Sequence, residues 1–485
     1  MLLDNGNPYE NGRPQSIILS PEDFSFNISD RNLNAIDRRA KWTVFIYMAA
    51  NCDLAAHLFE DILEMKAIGS DENVNICVFF VGPLITDSFF ARLNKGTPLG
   101  EDIIFRFLTL SASEPKILKE VISNNLILYP AENNLVILAG HGLGWKGALE
   151  DYAIGKMYIE QGRFSLPPGD DGSHLKYCYD RAIKAINEKR LQNRMAKDSI
   201  NDGNKSKINI IAFDACLMGN IEAINHFKDL SEIIVTSEDV FPGSGYPYDK
   251  ILQKLKADPN IDPNVMAINI INQTKDYYKN KFGNIVITQA ALDCHELKGL
   301  NQMIYNLANE MTKYLGNDKE AANVIKSCIE NAFNFGEGYR DLKNIAESLL
   351  DCQIPYNLSV AARSLKDFFE QSGLILASDV PGGKGMPAGI SIYCPDPAEF
   401  DPQYLRAVNS SDMGFWPWFL GMYALCTLAH IPQEDRSKCH HFSCHRFEIL
   451  KSNILIISEI FIKDILHFHD LAGYMLAHCT WHEHE

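Results

Sequence analysis

The strongest constraint on this chain is an alternation repeated several times along it. A short run of β-branched and aromatic residues is followed by a stretch with apolar residues at helical spacing. The run Trp42-Thr-Val-Phe-Ile-Tyr-Met-Ala49 has the residue types that fit a pleated, buried strand. Leu54, Leu58, Ile62, Leu63, Met65 and Ile68 then recur at helical spacing until Gly69 ends the pattern. Strand patterns return at 74–81, 103–108 and 134–139, with a helix predicted over 117–126, and again at 208–213, 233–236 and 284–288. Helical patterns occupy 175–191 and 264–281. Strands that alternate with helices require crossover connections, which build a mostly parallel sheet covered on both faces. The expected fold is α/β, a three-layer α/β/α sandwich.

At about 100–200 residues per domain, 485 residues leave room for more than that one unit. Residues 1–40 are polar and aperiodic and read as an N-terminal arm, and 41–290 hold the alternating pattern. Residues 291–429 read as a helical region, striped by Leu300, Ile304, Leu307 and Met311, with a strand returning at 387–394 and packed on the core. The stretch 430–485 differs in kind, with nine of the fourteen histidines and three of the twelve cysteines, and reads as a separate tail.

Composition excludes several classes. Lys plus Arg number 45 against 62 Asp plus Glu, a net charge of −17, and no basic stripe relieves it. Such a surface repels phosphate backbones, so no nucleic-acid partner is expected, and cationic or neutral substrates fit better. Twelve cysteines without a CxxC pair are too dilute for a disulfide scaffold and read as reduced, buried thiols acting as small hydrophobes. No basic and apolar leader opens the chain, and the apolar stretch at 454–466 is too short and too charged to span a bilayer. The expectation is a chain without a membrane partner, cytoplasmic or exported by a non-classical route.

Two constellations carry chemistry. Gly140-His141-Gly142 follows the strand at 134–139, where open α/β sheets place their ligands. Glycines on either side of His141 let backbone approach a substrate and leave its N–H groups accessible. Asp214-Ala215-Cys216 follows the strand at 208–213 and precedes a helical run, whose orphan N–H groups are expected to stabilise a thiolate. If the two strands share a sheet edge, His141 and Cys216 face each other, and a thiol with a histidine in reach is an arrangement for acyl transfer. Taken singly, His141 could be a strand-end cap, Cys216 a packing thiol and Asp214 a helix N-cap.

In order, the segments WTVFIYMAANCDL (42–54), NLVILAGHGLGWKG (134–147), INIIAFDACLMGNIEA (208–223) and SEDVFPGSGYPY (237–248) resemble the clostripain family, peptidase family C11. That family belongs to the clan of caspases, legumains and gingipains. TQAALDCHEL, YRDL and GMPAGISIYCP are weaker echoes, and the likeness runs over about 40–425. Ala50 and Cys52 depart from the acidic or amide residues common in the first motif.

The resemblance implies a caspase-like fold and a cysteine endopeptidase that cleaves after Arg or Lys. Cys216 would be the nucleophile and His141 the acid for the leaving amine, with no third carboxylate proposed. The N–H groups of Gly142 and Cys216 would form the oxyanion hole. Asp214 would bind the basic P1 side chain, with Asp239 a second candidate and Glu238 ranked behind them. It further implies a zymogen that cuts itself in the irregular loop 146–173, at Lys156 ahead of Arg163, with a peptide or protein substrate bearing a basic P1 residue as its partner, and a monomer. No cofactor is required, although some relatives use calcium, for which Asp170 and Asp171 could supply oxygens.

Three other readings stand beside this one. Gly142-Leu-Gly144-Trp-Lys-Gly147 matches GxGxxG after a strand, with Glu160 downstream, and would make the chain nucleotide-binding. The same fold could also serve as a catalytically silent binding protein. In the tail, Cys439, His440, His441, Cys444 and His445 offer metal ligands without the paired spacing of a structural zinc site and read as an incidental polar tail.

Overall fold

The computed structural model describes residues 9–10, 13–14, 16–18 and 39–429, apart from 85–86, 109–110, 114, 150–207, 284–286, 319, 381–384 and 409–412. Ten strands form one sheet. In chain order they are β1 (Ser16–Ile18), β2 (Ala40–Ala49), β3 (Val74–Val81), β4 (Ser88–Arg92), β5 (Ile103–Leu108), β6 (Ala131–Ala139), β7 (Ile208–Asp214), β8 (Ser231–Ser237), β9 (Gln289–Asp293) and β12 (Ile375–Asp379). Between the last two come β10 (Asn334–Gly336) and β11 (Tyr339–Asp341), which join β13 (Ser391–Tyr393) in a separate three-stranded sheet. The large sheet runs β12-β9-β8-β7-β6-β2-β3-β4-β5-β1. Its five central strands, β8-β7-β6-β2-β3, are parallel, and antiparallel pairs flank them on both sides.

Both faces of the sheet are covered, and the side-chain period of two explains how. Along β2, Phe45, Tyr47 and Ala49 enter one core while Trp42, Val44, Ile46 and Met48 enter the other. Helix α1 (Ala55–Ile68) fills the second core with Leu58, Ile62 and Met65. Helix α2 (Pro115–Leu128) fills the first with Ile117, Val121 and Ile122. Helix α3 (Ile221–Phe227) joins the first core, while α4 (Tyr248–Ala257) and α5 (Pro263–Phe282) join the second. This is the three-layer α/β/α arrangement with a mostly parallel sheet.

The region past β9 is helical: α6 (Leu297–Asn317), α7 (Ala321–Glu330), α8 (Leu342–Leu350), α9 (Tyr356–Gln371) and α10 (Trp416–Ala429). Leu300, Ile304, Leu307 and Met311 on α6 bury their stripe in the first core. Because β12 pairs with β9 at the edge of the large sheet, this region shares the sheet as well as the core.

Four expectations change. Of the strand predicted at 284–288, residues 284–286 lie outside the described residues and 287–288 are not in a strand; the strand described next is Gln289–Asp293, whose antiparallel register on β8 starts at the pair Ser237–Gln289. Of the strand predicted at 387–394 only Ser391–Tyr393 forms, and it enters the small sheet. The strands β4 and β12 were not foreseen; both are antiparallel additions made by partners distant in the chain. Among the cysteines, Cys328 on α7 and Cys352 just past α8 are bonded as a disulfide, not reduced, since the β10–β11 hairpin folds the chain back until their Cα atoms are 6.4 Å apart, within bridging range. Of the N-terminal arm the described part includes β1, parallel to β5. The helix predicted at 175–191 and the tail at 430–485 lie outside the described residues.

Candidate active site

β6 and β7 are parallel neighbours whose register pairs Ala139 with Asp214. His141 and Cys216 each stand two residues past that pair, at the same step beyond the carboxyl ends of adjacent strands. Their loops touch: a Cβ at Gly142 would collide with the carbonyl oxygen of Cys216, so only glycine allows this approach. An antiparallel bridge between Gly142 and Ala148 shapes the histidine loop, with Leu149 N–H donating to the His141 carbonyl at 2.7 Å and Leu143 N–H to that of Gly147 at 2.8 Å. This pattern uses neither the N–H of Gly142 nor that of Cys216, and neither has a backbone acceptor among the described residues.

A second set of contacts fixes the loop from the helical region. Tyr339 on β11 donates its hydroxyl to the Leu143 carbonyl at 3.0 Å and accepts the Trp145 N–H at 2.8 Å. Trp145 packs edge-on against Tyr393 and Tyr404. Those two residues in turn donate a backbone N–H and a hydroxyl to one oxygen of Glu222 on α3, a carboxyl that burial pushes up to about 7. Residues 144–146 make a single 3-10 turn and no α-helix begins within 142–149, so the helix N-terminus that a dinucleotide pyrophosphate needs is missing from this stretch.

The histidine has a carboxylate partner. Asp53, in the turn between β2 and α1, places Oδ1 2.6 Å from Nε2 of His141. No third carboxylate is proposed from the sequence, and Asp53 stands within hydrogen-bond reach of the ring. The signal in the sequence was the WTVFIYMAANCDL segment itself, since β2 is the neighbour of β6 and ends at the same edge.

The thiol departs from expectation. The helix after Cys216 starts only at Ile221, and Asn220 caps it by accepting the Ala223 N–H, so no helix N-terminus faces the sulfur. Burial and the charges of Asp214 and Asp239 push the Cys216 thiol up, against one N–H donated by Phe241 at 3.3 Å. Its resting form is the protonated thiol.

Beneath lies a buried pair of acids. Asp214 at the end of β7 accepts the Tyr246 N–H at 3.1 Å and the Tyr248 hydroxyl at 2.9 Å. A Cβ at Gly245, where φ is +58°, would stand 2.7 Å from Oδ2 of Asp214 and 3.2 Å from Oδ2 of Asp61. Asp61 lies on α1, buried, and its Oδ2 has no hydrogen-bond partner. Burial raises both carboxyls above the ordinary carboxylate range, and the charge of Asp214 raises Asp61 further, so Asp61 is the one of the two that holds its proton. Sequence reasoning found Asp214 and missed Asp61, although an acid on the Leu58–Ile62–Met65 face of a helix was a signal for it.

The other candidates separate. Asp239 is half-buried beside the thiol and its Oδ1 accepts the Val240 N–H at 2.6 Å. Glu238 points elsewhere: it is fully buried, accepts the Gly389 N–H at 2.9 Å and is held protonated by burial and by Asp341. Lys156, Arg163, Glu160, Asp170, Asp171 and the tail ligands lie outside the described residues.

Comparisons with known proteins agree with the geometry. The family model described as Peptidase_C11, the clostripain family, matches residues 169–367. Clostripain of Hathewaya histolytica is 25% identical over 247 residues, 46% of this chain and 43% of its own, so the match spans less than half of that relative. A secreted C11 cysteine protease from Bacteroides thetaiotaomicron, solved with an irreversible peptide inhibitor, is 18% identical with a TM-score of 0.50, covering 80% of this chain and 99% of that one. Iotapain, a secreted C11 cysteine protease from the same organism, is 16% identical with a TM-score of 0.50, covering 73% and 93%. At these identities the two structures establish the fold, which is caspase-like.

Proposed function

We propose that this clostripain-like chain is a cysteine endopeptidase that cleaves peptide bonds after Arg or Lys. The observation that carries the reading is the pairing of His141 and Cys216 at the same step past adjacent strands, with Cys216 two residues beyond the buried Asp214. His141 takes the thiol proton as Cys216 Sγ attacks the scissile carbonyl carbon. The carbonyl oxygen becomes an oxyanion held by the N–H groups of Gly142 and Cys216. Collapse breaks the C–N bond, His141 returns the proton to the leaving amine, and a thioester remains. Water activated by His141 then cleaves it to release the acid and restore the thiol. Asp53 holds the imidazole in place and stabilises its protonated form.

A P1 guanidinium or ammonium finds in Asp214 a buried carboxylate, with the neighbouring Asp61 giving up its proton on binding. Charge-assisted pairing is strong where water is excluded. Asp239 at the rim adds negative charge. The same specificity turned on the chain itself would cut the 146–173 loop, at Lys156 first. The scheme needs no metal, which retention of turnover in a calcium chelator checks, and it needs one chain only.

The experiment uses wild type and Cys216→Ala on fluorogenic peptides with Arg, Lys, Asp or Asn at P1, with the chain run on denaturing gels beside them. Turnover of Arg and Lys peptides by wild type alone is expected, with fragments that the variant lacks. No turnover of the basic peptides refutes the specificity, and equal turnover by Cys216→Ala refutes the nucleophile. Identical intact chains refute self-cleavage.

A further inference from the structure

We propose that Cys52, Asp53 and His141 form a binding site for a thiophilic divalent cation, zinc above all, and that filling it switches the peptidase off. One ligand atom from each lies within 4.8 Å of the other two. A tetrahedral zinc ion with bonds of about 2.0–2.3 Å holds its ligand atoms roughly 3.3–3.8 Å apart. The separation of His141 Nε2 from Asp53 Oδ1 is 2.6 Å, and the three-atom set extends to no more than 4.8 Å, so the required triangle lies between those limits. A small turn of the exposed Asp53 side chain makes room for the ion.

The donors decide the metal. One thiolate, one imidazole and one carboxylate suit zinc, whereas calcium and magnesium prefer oxygen alone, which separates this site from any calcium requirement of relatives. Two anionic ligands neutralise the dication, and water completes the fourth position on the side of Asp53, whose side chain is 70% exposed. The frame is rigid. Cys52 is nearly buried, its Sγ stands 3.4 Å from the Ala49 carbonyl at the end of β2, and its own carbonyl accepts the N–H of Ala55 at the start of α1.

Binding is a ligand exchange: Cys52 loses its proton to solvent, sulfur and an imidazole nitrogen bond the metal, and coordinated water leaves. No oxidation occurs. Zinc on Nε2, the nitrogen that faces Asp53, leaves the ring neutral with its proton on Nδ1, so Nδ1 cannot take the thiol proton and no imidazolium forms to supply the leaving amine. The inhibitory consequence rests on the peptidase reading; the metal site does not.

The test uses the full chain as wild type, Cys52→Ser, His141→Ala and Cys216→Ala. Zinc is titrated against a chromophoric chelator, and cobalt is added for its thiolate charge-transfer band. Because the 430–485 stretch can hold metal of its own, the readout is the difference between variants. Wild type and Cys216→Ala are expected to share one equivalent, with its cobalt band, that Cys52→Ser and His141→Ala both lose or bind at least about tenfold more weakly. On an arginyl peptide, zinc inhibits wild type and a chelator restores it. Cys52→Ser keeps basal turnover, which shows that it is folded, and needs at least about tenfold more zinc for the same inhibition. Equal binding and inhibition in Cys52→Ser, or a cobalt band lost in Cys216→Ala, overturns the proposal. If no variant cleaves peptides but the Cys52-dependent equivalent is present, the metal site stands and the peptidase reading falls.

Discussion

Replacing Asp214 by Asn should make the Cys216 thiol more reactive while abolishing cleavage after Arg. Asp214 ends β7 and Cys216 stands two residues on in the turn that follows, at most about 7 Å away by the reach of the chain. At an effective dielectric near 20, a unit charge at that distance is worth about 2.5 kcal/mol, and solvent screening at the half-buried sulfur roughly halves it. Asp214→Asn removes that charge, and Asp61, left alone and buried, stays protonated. The thiol pKa therefore falls. More thiolate is present at neutral pH, but nucleophilicity drops with pKa, leaving about three- to tenfold faster alkylation. The assay follows iodoacetamide labelling of the Cys216 peptide by mass spectrometry from pH 6 to 10, beside kcat/KM on an arginyl peptide. That kcat/KM should fall about 100-fold or more, because an amide cannot neutralise a buried guanidinium. A labelling rate unchanged or slower, or an unmoved pH midpoint, refutes the electrostatic argument. Retained arginyl cleavage refutes the pocket.

Other consequences concern the frame around the site. Tyr339→Phe removes both hydrogen bonds to the histidine loop and should lower kcat about tenfold or more with little change in KM, read in steady-state kinetics. Glu222 titrates near 4.5 unfolded and at about 7 folded, so its protonated form contributes stability in full below pH 4.5, and that contribution is lost as pH rises through 7. Glu222→Gln keeps the bonds from Tyr393 and Tyr404 without the charge, so the fall in melting temperature between pH 5 and 8 should flatten; an unchanged slope counts against the assignment. Cys352→Ser, or a reductant, should lower stability by about 3 kcal/mol, since the lost bridge closes a loop between residues 24 apart, measured by urea unfolding.

Much of this was legible in the residue order. The strand–helix alternation set the layered α/β class because burial on two sheet faces demands apolar runs and crossovers. Gly-His-Gly and Asp-Ala-Cys marked the site because both motifs end strands. What escaped were contacts between segments far apart: Asp53 beside His141, separated by 88 residues, Asp61 beside Asp214, and Tyr339 on the histidine loop. The strands β4 and β12 escaped for the same reason, since short antiparallel additions take their definition from the strand they join.

The sequence by itself determined which residues could do chemistry and on which kind of scaffold, because side-chain type and period are local properties. Only the tertiary structure decided their electrostatic state. A thiol expected to be ionised by a helix is instead protonated above two acids, and the helix begins five residues too late to reach it. Burial and charge act through distance in space, and the chain brings those groups together only when β2, β6 and β7 end at one edge of the sheet.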